Sequence, residues 1–247
     1  MNYSFLVSFI LVLIPLIYSY QTKLGIEKQL LINSVRAFLQ LLALGYFLVF
    51  IFKINNLFLL SLVLFFMILY SSYIAKNRVH TNFVIPFLTI FLSTFIVLGI
   101  MLLTKIISTK PNEFIPIGGM IIGNALNTFT LAVERFKREI EIQTDLIESF
   151  IALGAPLKEA YKIMQLQSIK ASLIPTINML QTIGVVAIPG ITTGMLLAGA
   201  SPLTAVSYQL VIIYMLVSIN LFSSLFGIIF YIKLLNFNIK TISILKN

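Results

Sequence analysis

The run Phe83–Ile107, FVIPFLTIFLSTFIVLGIMLLTKII, carries one charge, Lys105, near its end. About 20 mostly apolar residues suffice for a helix to cross the hydrocarbon core of a bilayer. The alternative is the buried core helix of a soluble protein, and the rest of the chain decides between the two. Of its 247 residues 59% are hydrophobic and 10% charged, where an ordinary soluble domain carries about 25% charged residues. That is too little polar surface to coat a water-soluble fold, so lipid must solvate much of the chain. Upstream lie comparable runs at Ser4–Tyr20, Leu30–Phe52 and Asn56–Ala75. Downstream lie Ile115–Phe136, Leu173–Ala198 and Thr204–Leu235. The pattern predicts an all-α polytopic membrane protein with about seven transmembrane helices, built as a single transmembrane domain over residues 1–247. The first run lacks a basic leader and a small-residue cleavage site, so it reads as an anchor rather than a signal peptide.

Lys and Arg set the expected orientation, because cytoplasmic loops carry an excess of them. With the N-terminus outside and the C-terminus cytoplasmic, the inner side holds Lys23, Lys28, Lys76, Arg78, Arg135, Lys137, Arg138, Lys158, Lys162, Lys170, Lys233, Lys240 and Lys246. The outer side holds only Lys53, Lys105 and Lys110. Inverting the chain would reverse this imbalance, so the expected location is the cell (inner) membrane, multi-pass. The net charge of +9 is thereby assigned to topology and lipid headgroups, and nucleic acid is not expected as a partner. There is no cysteine, which excludes disulfides and thiolate metal sites. The single histidine, His80, sits in a basic loop.

No G-x-x-x-x-G-K-[ST] or G-x-G-x-x-G run occurs, nor any nucleophile–base set. The expectation is a chain that is not an enzyme and binds no cofactor itself. The acidic residues all read as loop or span-end positions, whereas proton-coupled carriers bury a carboxylate at membrane depth. Energy for active transport would then come from another polypeptide. The alternative is a stand-alone secondary transporter or channel for a small ion.

Three groups of residues carry candidate function. The first lies in the polar stretch at about 137–172, expected to be cytoplasmic. Ile140, Ile147 and Phe150, then Ala160, Ile163 and Met164, recur at helical spacing on either side of Gly154-Ala155-Pro156. The reading is helix, sharp turn, short helix. Glu148 is followed six residues later by Gly154 and then by a short amphipathic segment containing Glu159. This resembles the cytoplasmic loop of ABC importer permeases, in which a short helix lies in a groove of the ATPase subunit. The resemblance implies coupling roles for Glu148, Leu153, Gly154, Ala155, Pro156 and Glu159. Pro175 follows Gly154 at a longer interval than in the importer motif.

The second group is Asn124, Asn127 and Thr128, which share a helix face by their spacing. Gly119 and Gly123 form a G-x-x-x-G pair that permits close helix contact in lipid. Amides at membrane depth need partners or water, so these residues either line a pathway or tie helices together. The third group lies in the sixth run, where Asn178, Gln181 and Thr182 share a face. Pro189-Gly190 should kink or break that helix, Gly190 and Gly194 form a second G-x-x-x-G pair, and Thr192 and Thr193 follow the break. Met120, Met179 and Met195 read as packing residues, leaving the identity of any metal site unknown. Arg36 is the one charge well inside a span, placed where its side chain can snorkel to the interface.

Several runs together resemble a known family, the iron-export ABC permeases of the FetB (YbbM-like) type, related to a plant aluminium-tolerance permease. They are Ser34-Val35-Arg36-Ala37-Phe38-Leu39-Gln40-Leu41, Gly119-Met120-Ile121-Ile122-Gly123-Asn124, Ala152-Leu153-Gly154-Ala155, Pro175-Thr176-Ile177-Asn178, Ile188-Pro189-Gly190-Ile191-Thr192-Thr193-Gly194, Leu197-Ala198-Gly199-Ala200-Ser201-Pro202, and Tyr208-Gln209. Ile191 and Thr192 stand where that family has two methionines. The resemblance implies a half-transporter: a permease homodimer, a separate ABC ATP-binding subunit that supplies ATP and Mg2+, and metal-ion export linked to iron homeostasis.

Overall fold

The computed structural model describes residues 10–53 and 56–245, with side chains described through residue 235. Residues 4–9 of the first expected span, Lys246 and the side chain of Lys240 lie outside those limits. The helices are α1 (Ile10–Thr22), α2 (Glu27–Ile51), α3 (Leu57–Val79), α4 (Val84–Leu103), α5 (Pro111–Ile142), α6 (Thr144–Ala152), α7 (Leu157–Ala160), α8 (Lys162–Thr182), α9 (Gly190–Leu197) and α10 (Pro202–Leu245). Among the described residues there is no β-strand, only an isolated bridge between Ile183 and Ala187. The protein is an all-α polytopic membrane protein. Helices α2, α3, α4, α5 and residues Pro202–Leu235 of α10 are long and apolar enough to span a bilayer, and α1 is a shorter apolar helix.

The chain separates into two compact units, Met1–Asn55 and Asn56–Asn247. In the first, α1 and α2 form a hairpin whose turn uses positive φ at Lys23 and Gly25. The Ser19 hydroxyl donates to a Glu27 carboxylate oxygen at 2.7 Å, tying the two helix ends together. Arg36 lies on α2 with its side chain exposed.

In the second unit α5 is the central element and packs against α3, α4, α8 and α10. One face of α5 explains this. Ile121, Ile122, Ala125, Phe129, Ala132, Val133 and Phe136 recur at helical spacing, and all are essentially inaccessible. Close approach is set by small residues. A Cβ on Gly227 of α10 would lie 2.7 Å from the ring of Phe129, and one on Gly118 would lie 2.6 Å from the end of Leu64. Several buried hydroxyls are satisfied by backbone carbonyls. Ser72 and Thr89 donate to carbonyls one turn back on their own helices, and Ser223 of α10 crosses to the Ala125 carbonyl at 2.7 Å.

Two expectations about helix limits are corrected. The fifth run does not end at Phe136: α5 continues to Ile142, because Phe136 and Glu139 are buried and hold the helix in the bundle. Glu139, beyond the expected end of the run, therefore lies on the same continuous helix as Glu134. The sixth run is broken rather than kinked, and the break lies upstream of the expected Pro189-Gly190. Helix α8 starts at Lys162 and stops at Thr182, and α9 starts at Gly190. The interruption begins at Ile183. Gly184 takes φ +80 there, and the Thr182 carbonyl receives the N–H groups of Val185, Val186 and Ala187. Pro189 caps the restart, where its missing N–H removes no helical hydrogen bond.

Candidate functional site

Helices α3, α5, α8 and α10 enclose a cleft of about 540 Å3. Asn124, Asn127 and Thr128 line it from α5. Facing them are Ser172, Pro175, Thr176 and Met179 of α8, and Leu216 and Asn220 of α10. The helical period that placed the three α5 residues on one face thus places them on a cavity wall. The cleft wall includes a hydrogen-bonded node joining three helices. Thr128 donates to the Asn220 amide oxygen at 2.9 Å, and the Asn220 amide N–H donates to the Thr176 hydroxyl at 2.7 Å. All three residues are buried. Asn124 turns its amide N–H to the Met120 carbonyl at 2.8 Å.

Arg78 of α3 and Glu134 of α5 also line this cleft. Their Nε and Oε1 atoms lie 3.3 Å apart, with the two side chains 66% and 42% exposed. An ion pair that wet is worth only about 0–1 kcal/mol. Glu139, one turn further along α5, is held differently. It is buried, paired to Arg135 at 2.6 Å, and accepts an N–H from Gln143 at 2.6 Å. Gln143 also donates to Gln167 of α8 at 3.1 Å, and Lys137 reaches the Val79 carbonyl at the end of α3.

The expected elbow is built as a Schellman turn. Helix α6 ends at Ala152, Gly154 takes φ +83, the Ala155 N–H donates to the Phe150 carbonyl, and the Gly154 N–H donates to Ile151. Only a residue without a Cβ enters that left-handed region freely. The elbow is anchored from beneath by Ile147, Ala160, Tyr161 and Met164, all buried. The Tyr161 ring meets Phe136 of α5 edge-on at 6.0 Å, and Phe136 meets Tyr231 of α10 at 6.1 Å. Its outer surface is open: Leu153 is 87% exposed, and Glu148, Gly154, Pro156 and Glu159 are exposed while Ala155 is half-buried. Glu159 pairs with Lys162 at 3.4 Å.

Other expected site residues lie elsewhere. Asn178 and Gln181 do share a face of α8, but it is the face opposite Thr176; both are exposed, and Thr182 bonds the Asn178 carbonyl of its own helix. None of the three lines the cleft. Thr192 belongs to a separate pocket of about 360 Å3 between the α8–α9 loop, α9 and α10, where it donates to the Gln209 side chain at 3.3 Å. Thr193 is exposed and bonds the Pro189 carbonyl. A Cβ on Gly119 would lie 3.1 Å from the Met67 methyl, whereas nothing comes within 4 Å of a Cβ at Gly123, Gly190 or Gly194. Within the chain, the close packing therefore falls at Gly118 and Gly227. The reading from sequence missed Asn220, Thr176, Arg78, Glu134 and Gln209. Asn220 bore the same signal as Asn124, an amide amid apolar residues, and needed only the same test. Among the described residues there is no group of three or more His, Cys, Asp or Glu placed to hold a metal ion.

The pattern of the family described as Uncharacterised protein family (UPF0014) matches residues 2–235. The "Probable iron export permease protein FetB" of Escherichia coli K12 is 32% identical over 88% of this chain and 85% of that protein. "Protein ALUMINUM SENSITIVE 3" of Arabidopsis thaliana is 32% identical over 87% of this chain and 80% of its own length. The "UPF0014 membrane protein YjkA" of Bacillus subtilis is 34% identical over 85% of this chain and 86% of its own. No solved structure matches the chain.

Proposed function

This chain belongs to the UPF0014 family of membrane proteins, and from that premise we propose that it is the membrane-spanning permease subunit of an ABC transporter that exports a metal ion such as iron. The observation that supports the reading most directly is a continuous mechanical path. The elbow at Gly154 presents an exposed Leu153, runs through Tyr161 into α8, and α8 carries Thr176 to the polar wall of the cleft. A partner that pulls on the elbow pulls on that wall. Exposed apolar tips flanked by charge suit helix-in-groove docking.

In this scheme a separate ATP-binding subunit holds ATP and Mg2+, and two copies of this chain pair with two of that subunit. The elbow faces the cytosol, with the N-terminus outside and the C-terminus inside. Closure of the ATPase dimer moves α8 and α10 against α5, exchanging the node's hydrogen bonds between two arrangements of the cleft. The metal ion is cargo. The FetB relative's name supplies iron as the first cargo to try.

The test is metal efflux from cells expressing this chain with its ATP-binding subunit. Glu148→Lys and Gly154→Trp should abolish ATP-driven efflux while the chain still inserts in the membrane at normal abundance. Full efflux by either variant would remove the elbow from the coupling path. Efflux by the purified chain alone, driven by an ion gradient, would replace this reading with a secondary transporter.

A further inference from the structure

The cleft has one carboxylate and one guanidinium among the described residues that line it, Glu134 and Arg78, and they occupy each other. The contact is through Nε at 3.3 Å, and both side chains keep substantial access to solvent. Such a pair is easily exchanged, unlike the buried and doubly held Glu139 nearby. The rest of the lining is rich in neutral oxygen. Asn124, Asn127 and Asn220 bring amide oxygens, Ser172 and Thr176 bring hydroxyls, and Met179 brings the one thioether among the described residues there. With its N–H committed to the Met120 carbonyl, the amide of Asn124 has its oxygen as the end left to accept. Carboxylate, amide and hydroxyl oxygens suit hard divalent cations that keep part of their water, and thioethers suit soft ones.

Resting on the reading of this cleft as the transport pathway, we propose that Glu134 is the group that receives a divalent metal cation, and that Arg78 is a tethered cation holding its place until the metal arrives. Entry is then an exchange. The guanidinium swings off as the metal lands, so the carboxylate never stands unpaired in the cleft. The sequence reading placed Glu134 at the end of the fifth run, and helix α5 carries it on the cleft wall.

The experiment is a Mn2+ titration of the full-length chain in detergent, with free Mn2+ read from its paramagnetic resonance signal. Wild type should bind saturably. Arg78→Gln should bind roughly fivefold tighter, because the competing ion pair is gone. Arg78→Lys should stay near wild type, and Glu134→Gln should lose most of the affinity with or without Arg78→Gln. Unchanged or weaker binding by Arg78→Gln, full binding by Glu134→Gln, or no binding by any form would overturn the proposal. A purely structural tie between α3 and α5 would lower the melting temperature of both single variants without tightening Mn2+ binding. The pathway itself is tested separately. Because the chain has no cysteine, Leu131→Cys places one thiol on the cleft wall, where a charged thiol reagent should block efflux. Block of efflux with Mn2+ affinity indifferent to Arg78 and Glu134 leaves the pathway and sinks the exchange. Efflux indifferent to the reagent sinks the pathway.

Discussion

At the residue scale, glycines and amides decide more here than charges do. Gly118 and Gly227 would meet similar obstacles, yet the obstacles differ in kind. A Cβ at Gly118 meets the two methyls of Leu64, the far end of a flexible side chain. One at Gly227 meets the ring of Phe129, which is fully buried and walled in. Overpacking a rigid site costs about 1–3 kcal/mol. Gly227→Ala should therefore lower thermal stability in detergent clearly more than Gly118→Ala, while Gly123→Ala should change little. Equal losses at the first two positions would show that Phe129 yields as easily as Leu64. Asn220 is the amide that joins three helices. Asn220→Leu removes two interhelical hydrogen bonds and should cost about 1–2 kcal/mol, since such bonds in membranes average well under 1 kcal/mol each but the stranded hydroxyls add to the loss. An unfolding titration of the purified chain measures this.

At the element scale, the elbow and the broken sixth run are both products of chain reversal. Helix α6 stops at a left-handed glycine, and so does α9 at Gly199, with the Ala200 N–H closing onto the Met195 carbonyl. For a residue with a Cβ the left-handed region costs roughly 1–2 kcal/mol, and asparagine bears it best. Gly154→Asn should therefore keep more ATP-driven efflux than Gly154→Val. If the two fail alike, the small surface of Gly154 rather than its φ is what the elbow needs. Periodicity had announced the elbow, because a Gly-Ala-Pro stop between amphipathic stretches is a local signal. It misplaced the break in the sixth run. Pro189-Gly190 is the conspicuous pair, but Pro can begin a helix as readily as end one, and the actual stop rests on Gly184 and the hydrogen bonds gathered by the Thr182 carbonyl.

At the scale of the whole molecule, the lack of cysteine turns topology into a direct measurement. On the proposed orientation, Leu153→Cys should resist a membrane-impermeant thiol reagent applied to intact cells and react after lysis. Lys105→Cys should react from outside. Labelling of Leu153→Cys in intact cells would invert the chain and detach the elbow from any cytosolic motor. In the bundle one element connects the cleft to the elbow. Helix α5 supplies the apolar face that α3, α4, α8 and α10 share; its Asn127 and Thr128 line the cleft, and its Phe136 meets Tyr161 beneath the elbow.

Sequence by itself determined that this is an all-α membrane protein, because apolar run length and charge content are local quantities that a bilayer reads directly. It also located the elbow and the amide face of α5, since turn chemistry and helical period need no partner to be seen. It could not tell which side of α8 turns inward, and so chose Asn178 and Gln181 over Thr176: a helix face is defined by period alone, but its direction is set by what packs against it. Nor could it bring Arg78 to Glu134 or Asn220 between Thr128 and Thr176. Those pairings join residues far apart in the chain, and only the burial of α5 among its neighbours places them within reach.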